Sequence, residues 1–121
     1  MANTFMVVSF AAEPNSAGTA YKMYTCGSST TTVVLGLILT NIHSSAVTAK
    51  VELVSDTGNR GGNNDVANGT SFLVKDVTIP AGTSLEILSG GKVILETTDA
   101  IRIDCSVADK ISGTLSIMEI T

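Results

Sequence analysis

The stretch VTAKVELV, residues 47–54, carries the alternation that decides the fold class. Every second residue is apolar, and the ones between are polar or charged: Val47, Ala49, Val51 and Leu53 against Thr48, Lys50 and Glu52. Successive side chains of a β-strand point to opposite faces, so this period of two predicts a strand with one buried face. The stretch IRIDCSV, residues 101–107, repeats the pattern and predicts a second strand of the same kind.

Outward from these two stretches, strand signals recur about every ten residues, which is typical of a sandwich or a barrel. No window has the spacing of an amphipathic helix. The chain of 121 residues predicts one domain, 1–121. We expect an all-β fold: a single β-sandwich (jelly-roll-like) or a closed barrel of about eight or nine short, mostly antiparallel strands. The predicted strands are Thr4–Phe10, Tyr21–Cys26, Thr31–Ile42, Val47–Val54, Ser71–Ile79, Leu85–Leu88, Lys92–Glu96, Ile101–Val107 and Gly113–Ile120.

The run Thr31–Ile42 is the most apolar of these strands, and we expect both of its faces to be covered. Gly36 within it indicates a β-bulge or a close backbone approach. A four-residue loop separates this run from Val47–Val54, which predicts a hairpin. The Ser-Gly-Gly stretch at 89–91 predicts another hairpin, between residues 85–88 and 92–96.

Composition excludes several function classes. Charged residues make up 15% of the chain and the net charge is −4, with seven Lys plus Arg, so the basic footprint of a nucleic-acid binder is missing. The longest apolar run, Val33–Leu39, is far shorter than the roughly 20 residues that span a bilayer. We therefore expect no nucleic acid and no membrane as partners. Few charges beside 44% hydrophobic residues favour assembly with other proteins.

Catalytic and metal chemistry is not indicated. The one histidine, His43, lies in a predicted loop without a nucleophile motif, and no Cys/His spacing fits zinc. Glu86 and Glu96 fall on strands predicted to be neighbours, but solvated faces are the better interpretation. Cys26 and Cys105 are expected to be buried free thiols, with a disulfide as the alternative. The sequence predicts no enzyme, no metal and no cofactor.

The one long loop, residues 56–69, has the sequence DTGNRGGNNDVANG and is rich in residues that form turns. Long loops of this kind are functional or flexible. We predict contacts with neighbouring subunits here and in an extended N-terminal segment, residues 1–16. The loop residues proposed for the interface are Asp56, Asn59, Arg60, Asn63, Asn64, Asp65 and Asn68. Calcium binding is a weaker alternative, because the order does not match an EF-hand.

Several motifs in a fixed order resemble a group of small virion structural proteins of tailed bacteriophages. They comprise a Thr/Val-rich strand, a Ser-Ser-Ala turn, an Ile-Pro-Ala-Gly turn, a Gly-rich turn, a Lys-Val-Ile-Leu-Glu strand and a final strand: Thr32–Thr40, Ser44–Ala46, Ile79–Gly82, Ser89–Gly91, Lys92–Glu96 and Thr114–Ile120. The resemblance covers about three-quarters of the chain, without loop 56–69. It implies a structural role in the virion and carries no catalytic residues.

The leading hypothesis is therefore a capsid decoration (cement) protein that stabilises the shell by added interface area. Its partners would be copies of itself, with a trimer as one option, and other virion proteins such as the major capsid protein. Its location would be the virion, assembled in the host cytoplasm. The first alternative is a tail, neck or baseplate component. An alternative of another class is a carbohydrate- or calcium-binding β module, disfavoured because Phe5, Phe10 and Phe72 are expected in the core rather than on a sugar-binding platform.

Overall fold

A computed structural model describes residues 2–55, 69–88 and 91–121. These residues form nine β-strands and no helix. Every strand matches a segment predicted from the sequence, with ends shifted by a few residues. The strands are β1 (Asn3–Glu13), β2 (Tyr21–Thr25), β3 (Thr31–Asn41), β4 (Val47–Val54), β5 (Thr70–Ile79), β6 (Ser84–Glu86), β7 (Val93–Leu95), β8 (Ala100–Cys105) and β9 (Ile111–Ile120).

The strands form two antiparallel sheets. Sheet A has the order β1-β9-β3-β6, with β7 also paired to β3, and sheet B has the order β2-β8-β4-β5. Neither ladder returns to its first strand, so the β-sandwich is confirmed and the closed barrel is wrong. With no helix in the described residues to cover a face, the apolar side of each sheet packs against the other.

The core lies between the sheets and consists of aliphatic side chains from alternate positions, as the alternation predicted. Three sulfur-containing residues join it: Met23, 6% exposed, and the free thiols Cys26 and Cys105, 2% and 4% exposed. The larger apolar residues with no exposure at all are Val34, Leu37, Leu39, Val51, Leu95, Ile101, Ile103, Ile111, Leu115 and Ile117.

The hairpin predicted between residues 31–42 and 47–54 is wrong, because β3 lies in sheet A and β4 lies in sheet B. The fully buried Asn41 side chain holds the crossing between the sheets. Its Nδ2 donates to the carbonyls of Ser45 and Ile79, at 2.9 Å each, and its Oδ1 accepts from the His43 N–H at 2.8 Å. These bonds hold a crossover from one sheet to the other, where the four-residue loop had predicted a hairpin within one sheet.

The second predicted hairpin is also wrong. β6 and β7 do not pair with each other but lie end to end along β3, with Glu86 opposite Ile38 and Leu95 opposite Thr32. Glu86 and Glu96 are thus separated by about seven residues along the β3 edge, roughly 20 Å. A shared carboxylate site is therefore not formed.

One face of β3 is buried and the other is partly open, which corrects the expectation that both faces are covered. Leu37 and Leu39 have no exposure, whereas Ile38 between them is 44% exposed. Gly36 marks a β-bulge, because the β3–β9 register shifts between Val34 and Gly36. No atom lies within 4 Å of a Cβ built at Gly36, so close backbone approach is not the reason for this glycine.

Candidate assembly surface

An apolar row crosses the outer face of sheet A. Directly opposed residues on neighbouring strands share a face, and the register places Phe5 opposite Met118, Met118 opposite Val33, and Val33 opposite Ile94. We call these four residues the outer apolar row. Phe5 is 72% exposed and Ile94 is 54% exposed, while the two central residues are half-buried. The row thus runs through β1, β9, β3 and β7.

Apolar residues continue on the same face beside this row. Val7, two residues along β1 from Phe5, is 64% exposed, and Ile38 on β3 is 44% exposed. The strands of sheet A contain no Lys or Arg. Their charged residues are three carboxylates: Glu13, Glu86 and Glu119. The outer face of an antiparallel sheet is ordinarily polar, so this one is unusual for a surface that meets only water.

The edge formed by β1 is the second part of this surface. No residue of β1 is fully buried, and within the described residues β1 pairs only with β9. The segment from Asn3 to Ala12 contains no charge and no proline. A long, uncharged edge strand presents unpaired backbone groups to any extended chain that reaches it.

The inner side of β1 is attached to the rest of sheet A by Phe10. Its ring lies over Gly113 on β9, where an added Cβ would be 2.5 Å from the ring Cε1 and 2.6 Å from Cζ. The same ring makes an edge-to-face contact with Tyr21, with centroids 5.2 Å apart. Gly113 is therefore required by close packing, and β1 belongs to the folded sheet.

The other sheet edges carry features that discourage pairing. β5 carries Lys75 and Asp76, and its pairing with β4 contains register shifts. β2 has five residues with Lys22 among them, and the remaining edge of sheet A is broken into β6 and β7, three residues each. Charges, bulges and short strands are the usual protection of edges. β1 lacks all three from Asn3 to Phe10.

A polar cluster closes one end of the sandwich. The Tyr24 hydroxyl donates to Glu119 Oε2 at 2.5 Å and lies 2.7 Å from Thr32 Oγ1. Cys26 Sγ lies 3.3 Å from the same Thr32 hydroxyl and donates to the Thr30 carbonyl at 3.2 Å. Burial, followed by the hydrogen bond to Glu119, raises the pKa of Tyr24 to about 12. These bonds join sheet B to sheet A and keep the Glu119 carboxylate off the outer face.

A shallow pocket between β8 and the segment before β2 is also structural. Asp104, only 8% exposed, accepts from the N–H groups of Gly18 at 3.1 Å and Cys105 at 2.8 Å. Lys50 Nζ lies 3.7 Å from Asp76 Oδ1 at its rim. In the part of the chain that the structure describes, no three His, Cys, Asp or Glu residues are grouped to hold a metal ion, and no helix has the length and hydropathy to cross a membrane.

The loop residues predicted for the interface, Asp56, Asn59, Arg60, Asn63, Asn64, Asp65 and Asn68, lie outside the described residues, as does most of loop 56–69. The predicted N-terminal segment 1–16 contains β1. Free, buried Cys26 and Cys105 are confirmed. Two phenylalanines expected in the core are exposed, Phe5 at 72% and Phe72 at 46%.

Sequence reasoning did not find the outer apolar row. A signal for it exists in β1, where Phe5, Met6, Val7 and Val8 are consecutive apolar residues. Such a run lacks the alternation of a strand with one solvated face. It indicates a strand that is covered on both sides, and the described residues cover only one of them.

Comparisons with known proteins give no family. No family model matches the chain, and no curated protein matches it. One solved structure is similar, a chain from Bacillus endospore appendages, which are described as a novel family of disulfide-linked pili. The two chains are 16% identical with a TM-score of 0.47, and the match covers 99% of this chain and 87% of the other.

Proposed function

We propose that this protein is a non-enzymatic structural subunit that assembles through the outer face of sheet A, and that its assembly is a tailed-phage virion. The observation that carries the assembly role is the outer apolar row, which crosses four strands without a charged side chain. A partner that covers this row removes apolar surface from water, which is the main favourable term in protein association.

The expected gain is substantial. Burying one side chain as large as Phe5 or Ile94 contributes about 1.5–3 kcal/mol. Repetition multiplies this gain in a particle built from many copies. The row also lacks side chains that form hydrogen bonds, which suits another protein surface better than a sugar, because sugar hydroxyls need polar partners.

The virion is supported by the resemblance of the turn and strand motifs to small phage structural proteins, not by the fold. Within the virion, capsid decoration is the leading placement, and the tail, neck or baseplate is the alternative. A decoration protein adds interface area between neighbouring capsomers, and the uncharged outer apolar row suits that contact.

Gold-labelled antibodies on purified phage particles, viewed by electron microscopy, test the placement. Label over the whole head is expected for a decoration protein. Label at the neck or tail would replace decoration with the alternative placement. Particles that carry no label and no peptide of this chain by mass spectrometry would contradict the virion proposal.

Sedimentation velocity of the purified protein over a range of concentrations tests the assembly role itself. We expect the wild type to associate and Ile94→Lys to associate more weakly, because the added charge must lose water on contact. Phe72→Lys is the matched control, since Phe72 is exposed to a similar degree on sheet B. Equal loss of association in both variants would contradict a role specific to sheet A.

A further inference from the structure

We infer that β1 pairs antiparallel with β1 of a second copy of this chain, so that two copies of sheet A join into one continuous sheet. The inference deepens the proposed function, on which it rests, by naming the occupant of the free edge. It is carried by the direction of the β1 backbone groups, the absence of charge along the strand, and the exposure of an inner-face methionine.

The backbone groups of alternate residues in β1 point to the free edge. Ala2 and Thr121 exchange both hydrogen bonds, with N···O distances of 3.0 and 2.9 Å. In an antiparallel ladder such pairs alternate along the strand. The even-numbered residues of β1 therefore bond to β9. Up to the register shift that follows Phe10, the odd-numbered ones, Asn3, Phe5, Val7 and Ser9, direct their N–H and C=O groups away from it.

These groups need an extended chain as partner, since a row of alternating donors and acceptors matches another strand. A second β1 fits that need. The chain has a net charge of −4, so repulsion between two copies is weakest where they meet without charged side chains. Of the edge strands that the structure describes, β1 alone is both long and free of charge, from Asn3 to Ala12.

The register with Met6 on the two-fold axis uses every outward-facing residue before the bulge. It places Phe5 opposite Val7 of the second copy and Asn3 opposite Ser9. A shift by one residue would set outward-facing groups against inward-facing ones, and a shift by two would lose a pair at the end. The bulge between Phe10 and Glu13 marks the natural limit of the pairing.

This register also accounts for Met6. Its side chain belongs to the inner face, opposite the buried Ile117, yet Met6 is 44% exposed because β1 is the last strand of its sheet. In the paired dimer Met6 of the second copy lies directly opposite Met6 on the same face. On the outer face, the two apolar rows become neighbours across the axis.

Cysteine cross-linking tests the register. Met6 lies on the axis as a non-hydrogen-bonded pair, whose Cα atoms are about 4.5 Å apart, within the range of a disulfide. We expect Met6→Cys to form a covalent dimer under mild oxidation. Ile94→Cys, exposed to a similar degree at the far edge of sheet A, is the matched control and should form no covalent dimer. The wild type gives the background, since both native cysteines are buried.

A proline variant gives a second measurement. Val7→Pro removes an N–H that faces the free edge and leaves the bonds to β9 in place, so the fold should persist. The variant should sediment as a smaller species than the wild type, with an unchanged circular dichroism spectrum. If it associates like the wild type, or if Ile94→Cys cross-links and Met6→Cys does not, β1 pairing is wrong and assembly through the sheet face stands. A wild type that is monomeric at every concentration, with no cross-link at either position, would contradict both.

Discussion

The two outer faces of the sandwich differ sharply in charge, although both sheets share one core. The strands of sheet B carry seven charged residues, against three carboxylates on sheet A. On sheet B the register sets Lys22 beside Arg102 and Arg102 beside Glu52, and Arg102 Nη2 donates to Glu52 Oε2 at 2.5 Å. The equivalent row on sheet A is Phe5, Met118, Val33 and Ile94.

This difference indicates what each face meets. Charged side chains resist the dehydration that contact with a neighbour requires, so sheet B is better suited than sheet A to face solvent. An uncharged apolar row loses nothing when it is covered, so sheet A is built to face a neighbour. The edges follow the same division, with protected edges on sheet B and one open edge, β1, on sheet A.

The largest expected effect comes from placing charges in the outer apolar row, which has none. Phe5→Lys combined with Ile94→Lys should weaken association by about 100-fold, equivalent to about 3 kcal/mol, because two exposed apolar side chains lose their burial. Sedimentation equilibrium measures the change. The melting temperature should stay within a few degrees of the wild type, since both side chains face outward. Unchanged association would show that the difference in charge between the two outer faces does not determine which face assembles.

The next largest effect is expected at Asn41, whose side chain holds the crossover between the two sheets. Asn41→Ala removes three side-chain hydrogen bonds and leaves buried partners unpaired, so the free energy of unfolding should fall by about 2–3 kcal/mol. Urea denaturation measures it. Thr40→Ala is the control, because the bond between Thr40 and Ser84 hydroxyls is exposed and should be worth well under 1 kcal/mol. Equal losses would show that Asn41 does not hold the crossover.

A smaller effect should follow when the charged row of sheet B is weakened. Glu52→Gln keeps the shape but removes the charge opposite Arg102, whose side chain is 35% exposed. The free energy of unfolding should fall by about 1 kcal/mol, because a partly exposed ion pair is screened by water. Association should not change. A parallel loss of association would mean that sheet B takes part in the contact.

The smallest effect is expected on removal of the Tyr24 hydroxyl, which donates a hydrogen bond to the Glu119 carboxylate. Tyr24→Phe should lower the free energy of unfolding at pH 7 by about 0.5–1 kcal/mol through its lost hydrogen bonds. The pKa of Tyr24 is raised to about 12 in the folded state from an ordinary value of 10.0. The protonated phenol therefore stabilises the fold fully below pH 10, and this contribution is lost as the pH rises towards 12.

The difference between the wild type and Tyr24→Phe should accordingly shrink above pH 10. Urea denaturation at pH 7, 9 and 11 checks the trend. Tyr21→Phe provides the comparison, because Tyr21 packs against Phe10 by its ring. If the difference in unfolding free energy between the two proteins grows with pH, the folded state does not favour the protonated Tyr24 phenol and the account of its raised pKa is wrong.

The positions of the strands were predictable because alternation and turn residues are local signals. Their partners were not, because pairing depends on contacts distant in sequence. Residues 31–54 looked like a hairpin, and only the bonds of Asn41 to Ile79 and Ser45 show why the chain changes sheets. The Ser-Gly-Gly turn likewise suggested a hairpin, whereas β3 is long enough to pair with both β6 and β7.

The assembly surface was hidden for a related reason. A strand with apolar residues on both faces, such as β1, is expected in the core, and sequence does not show that it becomes an edge. Phe5 was therefore placed inside, although it is the most exposed large apolar residue in the described chain. The predicted contacts in loop 56–69 remain predictions.

Labelling of introduced cysteines in the associated state tests the central claim most directly. Phe5→Cys, Ile94→Cys and Phe72→Cys each place one thiol on an exposed site, two on sheet A and one on sheet B. Their rates of reaction with a maleimide are compared at concentrations below and above association. We expect association to slow labelling at positions 5 and 94 and to leave position 72 unchanged. Protection at position 72 with continued rapid labelling at 5 and 94 would contradict the assignment of sheet A as the assembly surface.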